Sequence, residues 1–170
     1  MKGLNWLFLI FTLFYFLNSE AQTDREYYDR GCEKLTLKDF YGAIEDFDRT
    51  IRFNSYHYNA YNNRGICKYN IKDYKRAVED FDRALDINPE YLDAYYNRSL
   101  ARFMLEDYSG VIDDINKMIV SKPKFADAYY LRGLAHIGLG QNDQGCEDLK
   151  KAAELGLLKA LNDIRTYCNS

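Results

Sequence analysis

Two short blocks of sequence recur with a fixed period of 34 residues, and this period limits the folds that the chain can adopt. The first block is seen as Ala60-Tyr-Asn-Asn-Arg-Gly65, Ala94-Tyr-Tyr-Asn-Arg-Ser99 and Ala128-Tyr-Tyr-Leu-Arg-Gly133, with Glu26-Tyr-Tyr-Asp-Arg-Gly31 one period earlier. The second keeps the same register, as Asp39-Phe-Tyr-Gly-Ala-Ile-Glu-Asp-Phe47, Asp73-Tyr-Lys-Arg-Ala-Val-Glu-Asp-Phe81 and Asp107-Tyr-Ser-Gly-Val-Ile-Asp-Asp-Ile115. Such a period indicates a repeat architecture, in which each unit packs on its neighbours.

Each unit is predicted to be an antiparallel pair of helices. In the second unit, residues recur at the i, i+3 and i+4 spacing of one helix face, first at Tyr61, Gly65 and Tyr69 and then at Tyr74, Val78, Phe81 and Leu85. The two prolines, Pro89 and Pro123, fall at the ends of units, where a residue without a backbone N–H stops the second helix. A lone hairpin cannot bury its apolar stripe, so the hairpins must stack.

The two blocks, the small residues between the helices and the terminal proline resemble the tetratricopeptide-repeat family. This resemblance implies an all-α fold, an α-solenoid of antiparallel helix hairpins wound as a right-handed superhelix. The units are expected at 24–57, 58–91, 92–125 and a divergent 126–159, within a domain of residues 22–170. The third unit fits least well, because its packing positions hold Ser99, Val111 and Met118 instead of Gly or Ala.

The last stretch departs from the pattern. The segment from Gln144 to Gly156 is similar to the end of a Sel1-like repeat, and the following residues place Leu157, Leu161, Ile164 and Cys168 on one helical face. We therefore expect a capping helix over 158–168 that closes the open end of the stack.

The first 21 residues are predicted to be a signal peptide. Lys2 precedes an apolar run from Leu4 to Leu17, and Ser19 and Ala21 supply the small residues of a cleavage site. The alternative is an uncleaved membrane anchor, although the run is shorter than the ~20 residues needed to span hydrocarbon. The prediction is therefore an exported protein, periplasmic or secreted, of a bacterial envelope.

The charge balance and the motifs of the sequence indicate neither a nucleic-acid partner nor catalysis. Lys and Arg number 23 against 26 Asp and Glu, and no basic run marks a nucleic-acid partner. His57 and His136 lack metal-ligand spacing, there is no Cys-x-x-Cys pair, and no nucleophile motif is found. We expect no enzymatic activity, no metal, no cofactor and no small-molecule substrate.

Four arginines each precede an aspartate by 16 residues, and we expect each pair to be a structural ion pair between the two helices of a hairpin. The alternative is a row of arginines that binds an acidic ligand. The predicted pairs are Arg30 with Asp46, Arg64 with Asp80, Arg98 with Asp114 and Arg132 with Asp148.

Four cysteines in an exported protein permit disulfides. Cys146 lies ten residues before the turn at Gly156 and Cys168 twelve after it, which places them at similar heights on facing helices. We expect this pair to be bonded, with two buried thiols as the alternative. Whether Cys32 and Cys67 pair is left open.

The resemblance also implies a concave groove, lined by the first helix of each unit, that binds a peptide or a partner helix. In this sequence the groove positions are aromatic, amide and acidic, namely Tyr28, Asp29, Asn59, Asn62, Asn63, Tyr69, Asp93, Tyr96, Asn97, Asp127 and Tyr130. Tyrosine offers rigid contact area with a polar tip, and Asn can both donate to and accept from a peptide backbone. The expected function is an envelope adaptor that binds a protein partner; the alternative is a membrane-tethered structural subunit with an uncleaved N-terminal anchor.

Overall fold

The computed structural model describes residue 12 and residues 24–168. Regular structure in this part of the chain is helical, and the predicted signal peptide lies outside it except for Thr12. The helices are α1 (24–36), α2 (Phe40–Phe53), α3 (Tyr58–Asn70), α4 (Tyr74–Ile87), α5 (Leu92–Met104), α6 (Tyr108–Ser121), α7 (Ala126–Gly138), α8 (Asn142–Glu154) and α9 (Ala160–Tyr167). Among the described residues, none of the helices is both long and apolar enough to span a membrane.

Consecutive helices pack against each other along the whole stack from α2 to α9. In addition α3 contacts α5 and α5 contacts α7, so the odd-numbered helices form one layer. Each antiparallel hairpin is thus an odd-numbered helix followed by an even-numbered one, and α9 packs on α8 at the end. The predicted all-α solenoid is confirmed.

The second helix of the first three hairpins begins in the same way. Asp39, Asp73 and Asp107 are N-caps whose carboxylates accept hydrogen bonds from the N–H groups of Gly42, Arg76 and Gly110. The preceding turn requires a left-handed backbone at Lys38, Lys72 and Glu106, with φ of 61°, 65° and 60°. The fourth hairpin has Gly140 at this place, with φ of 75°, and its cap residue Gln141 makes no side-chain cap bond.

Glycine is needed where the two helices of a hairpin approach most closely. A Cβ at Gly65 would lie 2.7 Å from the ring of Phe81, and Gly31 faces Phe47 in the same way. The third hairpin has Ser99 at this position, and the residue one period after Phe81 is the smaller Ile115, with both fully buried. The poor fit noted from the sequence is therefore matched by a smaller facing side chain.

The first helix differs from the later odd-numbered helices on the side that would face a preceding hairpin. Two of its exposed residues are Glu26 and Glu33. The corresponding positions of α3, α5 and α7 hold small residues that are 0% exposed, namely Ala60, Ala94 and Ala128, then Cys67, Ala101 and Ala135. The outer side of α1 is therefore polar where the inner helices are closely packed.

Candidate functional site

The candidate site is the surface of the odd-numbered helices, called here the inner groove. Part of it is a chain of hydrogen bonds across three hairpins. Asn97 Nδ2 donates to Asn62 Oδ1 at 3.0 Å, Asn62 Nδ2 donates to Asn63 Oδ1 at 3.2 Å, and Asn63 Nδ2 donates to the hydroxyl of Tyr28 at 3.2 Å. The side chains therefore hold each other in fixed positions.

Because of these hydrogen bonds, not every amide at a predicted groove position is open to a ligand. Asn62 is 3% exposed, so its amide is used within the protein and is closed to a ligand. Tyr28, Asn63 and Asn97 are partly buried and keep some surface toward the groove. Tyr28 also contacts the imidazole of His57, with ring centroids 4.5 Å apart, and its burial raises the pKa of its hydroxyl.

Aromatic side chains continue the surface toward the third and fourth hairpins. Tyr69 meets Tyr74 edge to face at 5.4 Å, and Tyr96 meets Phe125 at 5.1 Å. Burial, with a smaller effect of Asp127, raises the pKa of Tyr96 to about 12. The raised pKa values of Tyr69 and Tyr96 keep both phenols neutral at physiological pH, and each offers flat apolar area with a hydroxyl at the end.

The remaining groove carboxylates pair with cations of the same chain. Asp29 lies 3.8 Å from Arg25, Asp93 lies 3.3 Å from Lys122, and Asp127 lies 3.2 Å from Lys159. All three carboxylates keep more than a third of their side-chain surface exposed. Asn59, at the start of α3, is half-buried.

The groove position in the last hairpin is covered by α9. The Tyr130 hydroxyl donates to Asp163 at 2.8 Å, and the Lys159 ammonium lies over the Tyr130 ring at 4.2 Å from its centroid. Burial first and the bond to Asp163 second raise the pKa of Tyr130 to about 12. This end of the groove is thus built jointly by α7 and α9.

The four arginines lie where the sequence predicts them, each with its fork on the aspartate of its own hairpin. Arg64 donates from Nε to Asp80 Oδ2 at 2.9 Å and from Nη2 to Oδ1 at 2.5 Å. Arg30 with Asp46, Arg98 with Asp114 and Arg132 with Asp148 repeat this bidentate geometry. The aspartates are between 1% and 6% exposed, and each pair is a structural contact between the two helices of its hairpin.

A second basic side chain lies close to each of these aspartates, one helical turn after the arginine. Lys34, Lys68 and Arg102 lie 2.8, 2.8 and 3.0 Å from the carboxylates of Asp46, Asp80 and Asp114. The fourth hairpin has His136 here, at 3.9 Å from Asp148. The hydrogen bonds and charges of Arg30 and Lys34 lower the pKa of Asp46 to about 2 against the opposing effect of burial.

The arginines also bond to the preceding hairpin, which sequence reasoning missed. Arg64 Nη1 donates to Asp48 at 2.5 Å, Arg98 Nη1 to Asp82 at 2.6 Å, and Arg132 Nη1 to Asn116 at 2.5 Å. Each acceptor precedes its arginine by 16 residues, so the 34-residue period contains the signal. The bonds to Asp80 and Asp48 outweigh the effect of burial and raise the pKa of Arg64.

An aromatic ring completes the environment of each guanidinium. Tyr27, Tyr61, Tyr95 and Tyr129 each lie three residues before an arginine, whose Cζ is 4.9 to 5.6 Å from the ring centroid. With two acceptors and a ring, Arg64 and Arg98 have side chains only 17% and 14% exposed. These guanidinium groups are fully engaged in joining hairpins and are not available to an acidic ligand.

The cysteines fall into one bonded pair and one free pair. Cys146 of α8 and Cys168 after α9 form a disulfide, with Cα atoms 5.7 Å apart. Cys32 and Cys67 are free thiols, and burial raises the pKa of Cys67 to about 12. Within the described residues no group of His, Cys, Asp or Glu is arranged to hold a metal ion.

Comparisons with known proteins agree with this architecture. Two family models described as tetratricopeptide repeat match residues 58–91 and 126–155. MamA from Desulfovibrio magneticus RS-1 is 26% identical with a TM-score of 0.76, over 79% of this chain and 76% of that one. Another crystal structure of MamA is 27% identical with a TM-score of 0.77, over 86% and 85% of the two chains.

A more distant structure shares the fold. The first TPR of Spaghetti (RPAP3), bound to the HSP90 peptide SRMEEVD, is 21% identical with a TM-score of 0.62. It is matched over 65% of this chain and 90% of that one. No curated protein matches the sequence.

Proposed function

Because the chain is a tetratricopeptide-repeat protein, we propose that it is a non-enzymatic adaptor that binds a peptide or helix of a partner protein in its inner groove. Repeat folds of this class support protein-protein interaction, and a solenoid offers an extended surface for it. The observation that carries the proposal is the row of half-exposed tyrosine and amide side chains, fixed by hydrogen bonds across three hairpins. A surface held in place before binding loses little conformational entropy when a partner is bound.

The chemistry of the groove favours a partner segment that is not strongly acidic. The repeated arginines are committed to Asp80, Asp114 and their counterparts, and the exposed charges of the groove include Asp29, Asp93 and Asp127. The peptide SRMEEVD, bound by the RPAP3 domain, has three acidic residues. We expect no binding of that peptide to this protein by isothermal titration calorimetry.

The groove is tested with two matched triple variants. The groove variant is Asp29→Ala, Asn59→Ala and Asp93→Ala, at groove positions outside the buried core. The control variant is Lys75→Ala, Glu79→Ala and Arg83→Ala on the exposed side of α4. A partner captured from an envelope extract should be retained by wild type and control and lost by the groove variant, with equal helicity by circular dichroism in all three.

Equal loss with both variants, or capture unaffected by the groove variant, would contradict binding in the groove.

The proposed location is a bacterial envelope, reached through cleavage after Ala21. N-terminal sequencing of the protein recovered from its source tests this part separately. Gln22 as first residue supports the exported adaptor, and an intact Met1 supports the membrane-tethered subunit.

A further inference from the structure

The last helix buries very little apolar surface. Helix α9 has eight residues, and Ala160 is its one fully buried side chain among the described residues. Leu158, Leu161 and Tyr167 are 75%, 43% and 42% exposed. Since buried apolar area supplies most of the stability of a packed helix, α9 is weakly held by its own side chains.

The disulfide holds α9 on α8 where apolar packing is weak. It joins Cys146, in the first turns of α8, to Cys168, directly after α9, over a sequence separation of 22 residues. Without it, α9 would be fixed by the buried Ala160, the partly buried Ile164 and the polar contacts at its groove side. These are the Lys159 to Asp127 ion pair, the Lys159 ammonium over the Tyr130 ring and the Tyr130 to Asp163 hydrogen bond. The ion pair and the hydrogen bond are partly or fully exposed to solvent and contribute little.

The disulfide is open to small molecules and to another protein's thiol. Both cysteines are half-buried and line a surface cavity of about 560 Å³. The other lining residues are polar or amphipathic, namely Asn142, Asp143, Glu147, Lys150 and Tyr167. A thiolate can therefore approach the sulfur atoms while the stack remains folded.

Release of α9 would change the end of the inner groove. Lys159 holds Asp127, Asp163 accepts from Tyr130, and the Lys159 ammonium covers the Tyr130 ring. Asp127 and Tyr130 are the groove positions of the fourth hairpin. They become free when α9 leaves, so the groove gains length at that end.

We propose that the Cys146–Cys168 disulfide is a redox latch, whose reduction by a dithiol releases α9 and uncovers Asp127 and Tyr130. One thiolate of the dithiol attacks one sulfur of the bond, forms a mixed disulfide with that cysteine and expels the other cysteine as a thiolate. The second thiol, after losing its proton, attacks the mixed disulfide and expels the remaining cysteine. Two electrons pass to the protein, the two cysteine thiolates take up the two protons, and the dithiol leaves as a disulfide.

The free cysteines do not interfere with this exchange. Cys67 is 0% exposed inside the stack, and Cys32 lies on α1 at the opposite end from α9. Reduction therefore changes one bond in the described chain, and its effects can be assigned to α9.

Hydrogen exchange measured by mass spectrometry tests the latch on the whole protein. Addition of dithiothreitol should speed exchange of amides 160–168 by about a hundredfold, as expected on losing a crosslink that closes a loop of this length. Amides of α3 to α6 should keep their protection. The variant Cys146→Ala, Cys168→Ala should show fast exchange at 160–168 without reductant, and the matched variant Cys32→Ala should behave as wild type.

Two results would overturn the proposal. If α9 keeps its protection after reduction and in the double variant, packing holds it and the disulfide is not a latch. If dithiothreitol reduces the bond only when the whole stack has unfolded, the cavity does not give access to it. Neither measurement involves a groove ligand, so the latch can fail while the adaptor function stands, and the reverse.

Discussion

The first three hairpins and the fourth use the same repeat positions with different chemistry. The arginines of the second and third hairpins reach a carboxylate in the hairpin before them, Asp48 or Asp82, whereas Arg132 reaches the amide of Asn116. The residue one turn after the arginine is Lys or Arg in the first three hairpins and His136 in the fourth.

The groove side of the fourth hairpin differs as well. Asn63 and Asn97 donate to the preceding hairpin, while Leu131 at the same position is 6% exposed in a core cluster of α5, α6 and α7. At this one groove-side position, the earlier pairs of neighbouring hairpins are joined by a directional hydrogen bond, and the third and fourth hairpins by apolar packing. The same backbone repeat accommodates both kinds of contact, because each hairpin packs only on its direct neighbours and each interface is stabilised independently of the others.

Removing a buried aspartate should lower the free energy of unfolding more in the second hairpin than in the fourth. Asp80→Ala leaves Arg64 and Lys68 without their carboxylate in a buried place, so we expect a loss of about 3 kcal/mol. Asp148→Ala should cost roughly 1 kcal/mol, because in the fourth hairpin one Lys or Arg side chain, Arg132, loses its carboxylate, whereas Asp80→Ala leaves two without it. Urea unfolding followed by circular dichroism measures both, and equal losses would contradict the difference.

At the groove-side position shared by Asn97 and Leu131, truncation to alanine should cost more stability in the fourth hairpin than in the third. Leu131→Ala opens a cavity in the core cluster and should cost about 2 kcal/mol or more. Asn97→Ala removes one hydrogen bond to Asn62 and should cost roughly 1 kcal/mol. A larger loss from Asn97→Ala would mean that the amide chain, and not apolar packing, dominates stability.

Acid should lower the stability of the first hairpin, because Asp46 becomes protonated and its ion pairs with Arg30 and Lys34 are lost. Its pKa is about 2 in the folded protein against an ordinary 3.8, so between these values the unfolded chain binds more protons than the folded one. The stabilisation is complete above pH 4 and is lost as the pH falls toward 2. Asp46→Asn should have a lower melting temperature than wild type at pH 6 and a flatter decline below pH 4, in differential scanning calorimetry.

Exchanging the acceptors between joints should give small effects of opposite sign. Asp82→Asn weakens a charge-assisted bond to Arg98 and should cost roughly 0.5–1 kcal/mol, since Asp82 is 45% exposed. Asn116→Asp gives Arg132 a carboxylate and should stabilise by about 0.5 kcal/mol. Both effects should shrink in high salt, and a salt-independent change would argue against a charge effect.

The turns should give the smallest difference. Lys72 has a left-handed backbone that Gly140 adopts without cost in the fourth hairpin. We expect Lys72→Gly to stabilise by about 0.5 kcal/mol, the relief of strain less the entropy of glycine in the unfolded chain. Gly140→Lys should destabilise by a similar amount, and a stabilising Gly140→Lys would show that side-chain contacts outweigh the backbone.

The sequence predicts local and periodic features well, since a helix and its partner are close along the chain. The Arg64 to Asp80 spacing lies within one hairpin and could be recognised directly. The bond from Arg132 to Asn116 joins two hairpins and changes the acceptor type, which hides the period. Groove residues follow from the family positions, but the burial of Asn62 depends on the conformations of Asn63 and Asn97, which no sequence period encodes.

The glutamates of α1 have a consequence for how proteins of this kind can change in length. A further 34-residue copy placed before α1 would have to bury the carboxylates of Glu26 and Glu33 where its neighbours bury Ala and Cys. A copy inserted between the second and third hairpins would pack on small residues of α5. Arg98 could bond to the inserted hairpin, and Asp82 could accept a bond from the arginine of that hairpin. Gene duplication within this sequence should therefore lengthen the stack from its middle, leaving the terminal hairpins in place.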